Sequence, residues 1–451
     1  MGLCETLPNS STFPINPMAT LHPFLPLRYN PERVSDLGAV IAPPYDVISE
    51  EKRASLLQRD PHNVIRLILP EGNDAEKYTQ AGELFREWID SGLLISEERA
   101  GFFPYTQTFR NPATGEEMTR LGFITALDVV PFEDRVVLPH ERTLSGPKAD
   151  RLSLMKETDA NLEAIFGIYR DPEGSSRQLL EKLTSAGEPL VDAVDIDGVR
   201  HRLWRATASE AIEQIRQALA DEVVFIVDGH HRYETALNYK RLRREQQPDA
   251  PAGAPFDSIM IFLTPTSDPG LLILPTHRVI HSIEEFDFHS LTNRLGRHFD
   301  LHPALDAADG LARMRSENKP GSMLLLSHGE AILATPRNIG DLAASLPESI
   351  APALRQLDVT ILHEYLLEGL LGITKEAQAE QTNLRYLKSD EEAIATAAAG
   401  SAQLVVMMNA TRLEQVEEVA VSGQVMPQKS TYFYPKLASG LLFNPLWKQA
   451  E

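Results

Sequence analysis

Val223-Val224-Phe225-Ile226-Val227-Asp228-Gly229-His230-His231-Arg232-Tyr233-Glu234-Thr235-Ala236 decides how this chain is read. Five apolar, mostly β-branched residues predict a buried strand over 223–227. The strand stops at Asp228, Gly229 permits a tight turn, and a helix is predicted from Tyr233 to Arg244. A helix that opens straight after a strand aims free backbone N–H groups, and the positive end of its dipole, at whatever lies above the turn. Arg232 adds a planar fork suited to phosphate or carboxylate, and His230 and His231 add donors that change charge near neutral pH. The turn reads as an anion site, most simply for phosphate. The plain alternative is a corner with solvated histidines and Asp228 as an N-cap.

Working outward, strands are predicted over 103–109, 121–130, 165–169, 258–264, 271–277, 323–327 and 404–408, with a hairpin over 191–204. Helices are predicted over 74–91, 176–186, 209–218, 290–299 and 391–399. The runs 39–42 and 64–69 read as further short strands, and Ser49 as the cap of a helix reaching Gln58. The stretches 358–369 and 423–440 read as polar segments. Abundant hairpin signals favour an α+β fold with mixed sheets. Three regions are expected: a disordered tail over 1–22, in which Met18 is an alternative start, an α+β core over 23–285, and a C-terminal α/β domain over 286–451. That last third either completes the site or supports a homodimer.

Composition narrows the partners. Lys and Arg number 43 against 64 Asp and Glu, a formal charge of −21. Nucleic acid is therefore not an expected partner, because its affinity comes from Lys and Arg displacing counterions. Cys4 is the single cysteine, which excludes a disulfide within the chain and any Cys-rich zinc site. No apolar run approaches the roughly 18 residues of a membrane span, and the start lacks the pattern of a secretory signal. A cytoplasmic location is expected.

Four further clusters carry chemistry. Pro43-Pro44-Tyr45-Asp46 stiffens the backbone and presents Tyr45 and Asp46, although Asp46 is also good turn chemistry. His140-Glu141-Arg142-Thr143 and Pro147-Lys148-Ala149-Asp150-Arg151 make a charge-dense loop, either solvated or part of a site. There, Glu141 is a candidate base or metal ligand, and Lys148 and Arg151 are candidate phosphate clamps. Thr276-His277-Arg278 follows an apolar strand much as the Asp228 turn does. Lys429-Ser430-Thr431 and Lys436, in an aromatic Pro-braced segment, suit an anion or a substrate carboxylate. The signatures of common NTPases, dinucleotide-binding enzymes, zinc proteases and serine hydrolases are missing.

Five motifs together resemble the bacterial domain-of-unknown-function family 1015: Pro-Pro-Tyr-Asp-Val-Ile-Ser at 43–49, His-Glu-x-Thr at 140–143, Pro-Lys-x-Asp-Arg at 147–151, Asp-Gly-His-His-Arg-Tyr-Glu-Thr-Ala at 228–236, and Met-Pro-Gln-Lys-Ser-Thr-x-Phe-x-Pro-Lys at 426–436. The Asp228 turn alone is similar to the phosphate-binding turn of the ParB/sulfiredoxin-like fold, which includes free-serine kinases. That resemblance implies a nucleotide-binding core in which Gly229, His230, His231 and Arg232 bind phosphates. It also implies that Asp228 orients the turn or helps hold Mg²⁺, with ATP or ADP as phosphate donor. The base does not transfer by motif, which leaves Asp46 and Glu141 as candidates, with His231 as a further catalytic residue. Tyr45, Lys429, Ser430, Thr431 and Lys436 are the expected substrate contacts.

Three functions follow. The first is a nucleotide-dependent kinase of a small hydroxylated, serine-like metabolite. The second is a metal-dependent phosphatase or other phosphate-ester hydrolase, with His230, His231, Asp228 and Asp46 holding the metal. The third is a nucleotide-sensing regulator that is no enzyme. All three need the Asp228 turn to lie beside Asp46 or Glu141.

Overall fold

The computed structural model of the chain describes residues 19–72, 75–141 and 145–447. The expected tail therefore lies outside the described residues up to Met18, and Leu21–His22 already pairs as a short strand with Glu117–Asp128. The fold is α+β with two large sheets. The first has nine strands, in the order 137–139, 224–228, 165–169, 258–265, 117–128, 103–110, 200–203 and 191–194, with 21–22 beside 117–128. It is mixed: Val224–Asp228 runs parallel to Val137–Pro139, Ser258–Pro265 runs parallel to Ile165–Tyr169, and the remaining pairs are antiparallel. The second sheet, wholly antiparallel, runs 299–303, 330–336, 323–327, 404–408, 277–280, 384–387.

Strand periodicity assigns the two faces of the first sheet. Ile165, Tyr169, Val224 and Ile226 point to one apolar cluster, which also holds Leu180, Ile215 and Tyr233 from the covering helices. Phe166, Ile168, Phe225 and Val227 point to the other, and there the cover includes Phe433, Leu437, Leu441 and Leu442 from the far end of the chain. A two-stranded ribbon joins the sheets, Leu272–Leu274 leaving the first while Tyr432–Tyr434 returns to it, antiparallel.

Several local expectations are corrected. Val64–Leu69 is no strand: Ile65–Ile68 is a helical turn, set by Asn63, whose Oδ1 accepts the Ile65 N–H at 2.9 Å and whose Nδ2 donates to the carbonyls of Ala39 and Ile41. The run 39–42 likewise falls on the short helix Leu37–Val40. Apolar runs this short, buried on all sides, carry no periodicity to separate strand from helix. The single strand expected over 271–277 breaks at Pro275, and its halves join different sheets. The segment read as polar over 358–369 is helical and inserts Ile361, Leu362, Leu366 and Leu367 into the core. The charged loop over 138–151 becomes the helix Ser145–Thr158 in its second half, while Arg142 and Thr143 lie outside the described residues. No helix among the described residues is long and apolar enough to cross a membrane.

Candidate functional site

The turn after Val224–Asp228 forms as its sequence dictates. Gly229 has φ 87°, and a Cβ there would stand 2.8 Å from Cγ2 of Ile165, so both conformation and space require glycine. The helix His230–Gln246 starts at once, with Gly229 as its cap and no side chain capping it. The first-turn N–H groups, which have no intrahelical acceptor, therefore open onto the space above the sheet. Asp228 is no N-cap. One of its oxygens accepts from Arg232 at 2.8 Å and the other binds the ammonium of Lys436. Burial opposes its charge, but Lys436 and Arg232 outweigh burial and hold its carboxyl well below the ordinary carboxylate range.

Two histidines lie side by side behind the turn. His140 is fully buried, with Nδ1 2.8 Å from the Ile226 carbonyl and Nε2 2.8 Å from the Thr431 hydroxyl. Burial lowers its pKa to about 4, so the ring is neutral. The Ile226 carbonyl accepts a hydrogen bond from Nδ1–H, and the Thr431 hydroxyl donates to Nε2. His230 is held the same way: its Nε2 accepts the backbone N–H of His140 at 3.3 Å, and burial, with His140 alongside, keeps it neutral. His231, half-buried, lines the cleft itself; burial lowers its pKa while Asp46 and Glu234 pull the other way.

The C-terminal segment closes the site. Met426 donates its N–H to the His140 carbonyl at 2.8 Å, and Lys429 donates its N–H to Glu141 at 3.3 Å. Burial raises the pKa of Glu141, against the pull of Lys429. From the second sheet, Arg278 donates to the Lys429 carbonyl at 3.2 Å and to His363 at 3.0 Å. Tyr432 carries two ammoniums on its ring, Lys388 at 3.9 Å and Lys436 at 4.8 Å. The C-terminal third therefore completes the cleft.

The result is one cavity of about 330 Å³. It brings together Tyr45 and Asp46, then Glu141, then the whole turn from Asp228 to Arg232, and finally Lys429, Thr431 and Lys436. Three expected residues fall elsewhere. Lys148 pairs with Glu234 at 2.5 Å on the flank of the helix. Arg151 is buried beneath Tyr45, its guanidinium 4.0 Å from that ring and bonded to the Ile68 carbonyl and Asp150. Ser430 donates to the Pro427 carbonyl at 2.5 Å and braces the turn. Arg232 too is partly committed, donating to the Ala164 carbonyl at 2.5 Å as well as to Asp228. The residues that sequence reasoning missed are Gln381, at the end of the helix Lys375–Glu380, and Tyr386 and Lys388, on and just past the edge strand of the second sheet. A lone lysine just past the strand Leu384–Leu387 carries no local signal.

Asp228 does not stand as a metal ligand, because both of its oxygens are engaged by cations. Among the described residues no three His, Cys, Asp or Glu side chains group to hold a metal ion. A nucleotide-borne Mg²⁺ asks less, one or two carboxylates beside its phosphates and waters, and Asp46 and Glu141 on the cleft wall fit that demand.

Among curated proteins none matches the chain in sequence. Among solved structures the chain is similar to a free serine kinase variant in complex with ADP (TM-score 0.34, 12% identity, covering 68% of this chain and 89% of that one). It is similar as well to a conserved hypothetical protein from Pyrococcus furiosus (0.33, 14%, 68% and 92%). A third likeness is to SbnI with a C-terminal truncation from Staphylococcus aureus (0.33, 11%, 73% and 90%). The family model described as "Protein of unknown function (DUF1015)" matches residues 21–360, three quarters of the sequence, and the chain belongs to that family.

Proposed function

We propose that the cleft transfers a phosphoryl group from a nucleotide, ATP or ADP with Mg²⁺, to the hydroxyl of a small metabolite, serine-like compounds first among them. One observation carries this reading: the open N-terminus of a seventeen-residue helix faces a cavity that also gathers Lys388, Lys429 and Lys436, inside a chain of charge −21. Phosphoryl transfer needs mainly positioning and charge neutralisation, which is what such a cavity supplies. The first-turn N–H groups and His231 hold the phosphates, while the Asp228–Lys436–Arg232 cluster fixes the turn beneath them. Asp46 or Glu141 would hold a nucleotide-borne Mg²⁺, which would supply neutralisation of the phosphate charge. As the acceptor oxygen forms its new bond to phosphorus and the bond to the nucleotide breaks, a carboxylate takes the hydroxyl proton. Glu141 suits that role because burial raises its pKa above the ordinary carboxylate value; Asp46 is the second candidate.

Calorimetry with Mg·ATP, ADP and AMP, on the wild type and on His231→Ala, tests the binding step. Nucleotide binding that weakens roughly tenfold in the variant is expected. Phosphorus NMR against a panel of hydroxylated metabolites then tests transfer. Glu141→Gln and Asp46→Asn identify the base as the variant that loses turnover while nucleotide affinity holds. No binding by any nucleotide sinks the proposal.

A further inference from the structure

The cleft has a second wall with a different character. Opposite the phosphate-facing turn, the second sheet and its flanks present Thr276, Gln381, Tyr386 and Lys388: three neutral polar groups and one cation. Lys388 lines the cavity with its ammonium over the face of Tyr432, 3.9 Å from the ring. Lys436, on the same ring, has its counter-ion in Asp228. Lys388 and Lys429 do not: among the described residues neither ammonium forms an ion pair. Lys429 is exposed, but Lys388 is half-buried, and a half-buried ammonium without a counter-ion, crowded by two others, is unfavourable unless a ligand supplies the missing charge.

We infer that Lys388 and Lys429 form a second anion subsite, and that it selects an acceptor bearing a carboxylate beside its hydroxyl. The inference rests on the phosphotransfer reading and names its substrate class. Lys388 is then a specificity-determining residue. The charged groups facing it are Lys436 and Lys429 from the C-terminal segment, Asp46 from the turn after the diproline, and Asp228 from the strand end. Burial first, then Lys436 and Lys429, lower its pKa to about 8. An arriving carboxylate raises that pKa, so acid binding takes up a proton. Affinity for the acid holds below about pH 8 and falls as pH rises through that value.

The test uses D-glycerate and L-serine against glycerol and L-serinamide, titrated into the full chain with and without Mg·ADP. Expected is binding of the acids alone, weakened roughly ten- to hundredfold by Lys388→Met and restored by Lys388→Arg, with a clearly smaller effect of Lys388→Met on ADP affinity. Glycerate has no amine, so its affinity above pH 8 reports Lys388. Equal binding of acid and amide overturns the inference, as does a panel with no binder. A loss of ADP affinity in Lys388→Met as large as the loss of acid affinity also overturns it, because the lysine then serves the nucleotide. Acid binding that needs Lys388 in a chain that binds no nucleotide keeps the subsite and removes the phosphotransfer reading.

Discussion

At the scale of single residues the cleft is a set of charges whose states are fixed by burial. His140 titrates near 6.5 in an unfolded chain and near 4 when folded, so between those values the unfolded state binds the extra proton. Stability is then lost as pH falls from about 6.5 to about 4, by roughly 3 kcal/mol for this ring. His230 adds to the loss in the same direction. Asp228, with its pKa depressed, contributes stability above the ordinary carboxylate pKa that disappears only at lower pH. Urea denaturation from pH 7.5 to 4.5 is expected to show the decline, with a shallower one in His140→Gln. Breaking the buried pair with Lys436→Met leaves Asp228 with Arg232 alone and is expected to cost about 3–5 kcal/mol. The double variant Asp228→Asn with Lys436→Met recovers part of that loss, measured by the same denaturation midpoints.

At the scale of elements the sequence was most legible where periodicity was long. The strand–turn–helix at 224–246 was readable because a continuous, mostly β-branched run meets a glycine, and the helix Ser209–Ala218 because Ala211, Ile212 and Ile215 fall on one helical face. Legibility failed where a short apolar run is buried on every side, as at Ile65–Ile68, and where a proline splits one run between two sheets. The returning segment was readable as chemistry but not as an element. It is held by Arg120, fully buried against Phe166 at 4.6 Å, which donates to the Pro435 carbonyl at 2.6 Å and to the Tyr434 carbonyl at 3.3 Å. Arg120→Met is expected to release this segment. Hydrogen exchange at 432–437 should speed up more than exchange in the second sheet, and the variant should lose ligand affinity along with stability.

At the scale of the whole molecule the charge distribution opposes itself. A chain of net charge −21 concentrates three lysines in one cavity, so an anion meets repulsion at a distance and attraction only inside. Raising ionic strength from about 0.01 to 0.15 M shortens the screening length from roughly 30 to 8 Å and weakens the distant field first. The association rate for ADP, followed by stopped flow, is expected to rise with salt over that range; a steep fall would place the cavity's field in control. Most of the site was legible in the sequence. The Asp228 turn, Tyr45, Asp46, Glu141 and the 429–436 lysines each sit in a dense local pattern. Lys388 and Tyr386 enter only because the second sheet lays its edge strand against the cavity, which no local pattern encodes.

The bond between Lys436 and Asp228 spans 208 positions of the chain. A ribosome adding roughly 5–20 residues each second needs about 10–40 s to travel that distance. Once Ser258–Pro265 is made the first sheet has all its strands, yet for the rest of that interval Asp228 has no Lys436 and one face of the sheet lacks Phe433, Leu437, Leu441 and Leu442. The cleft of the nascent protein therefore stays unfinished until residues 429–442 are made, and a translation interrupted before them leaves an exposed greasy surface on the first sheet.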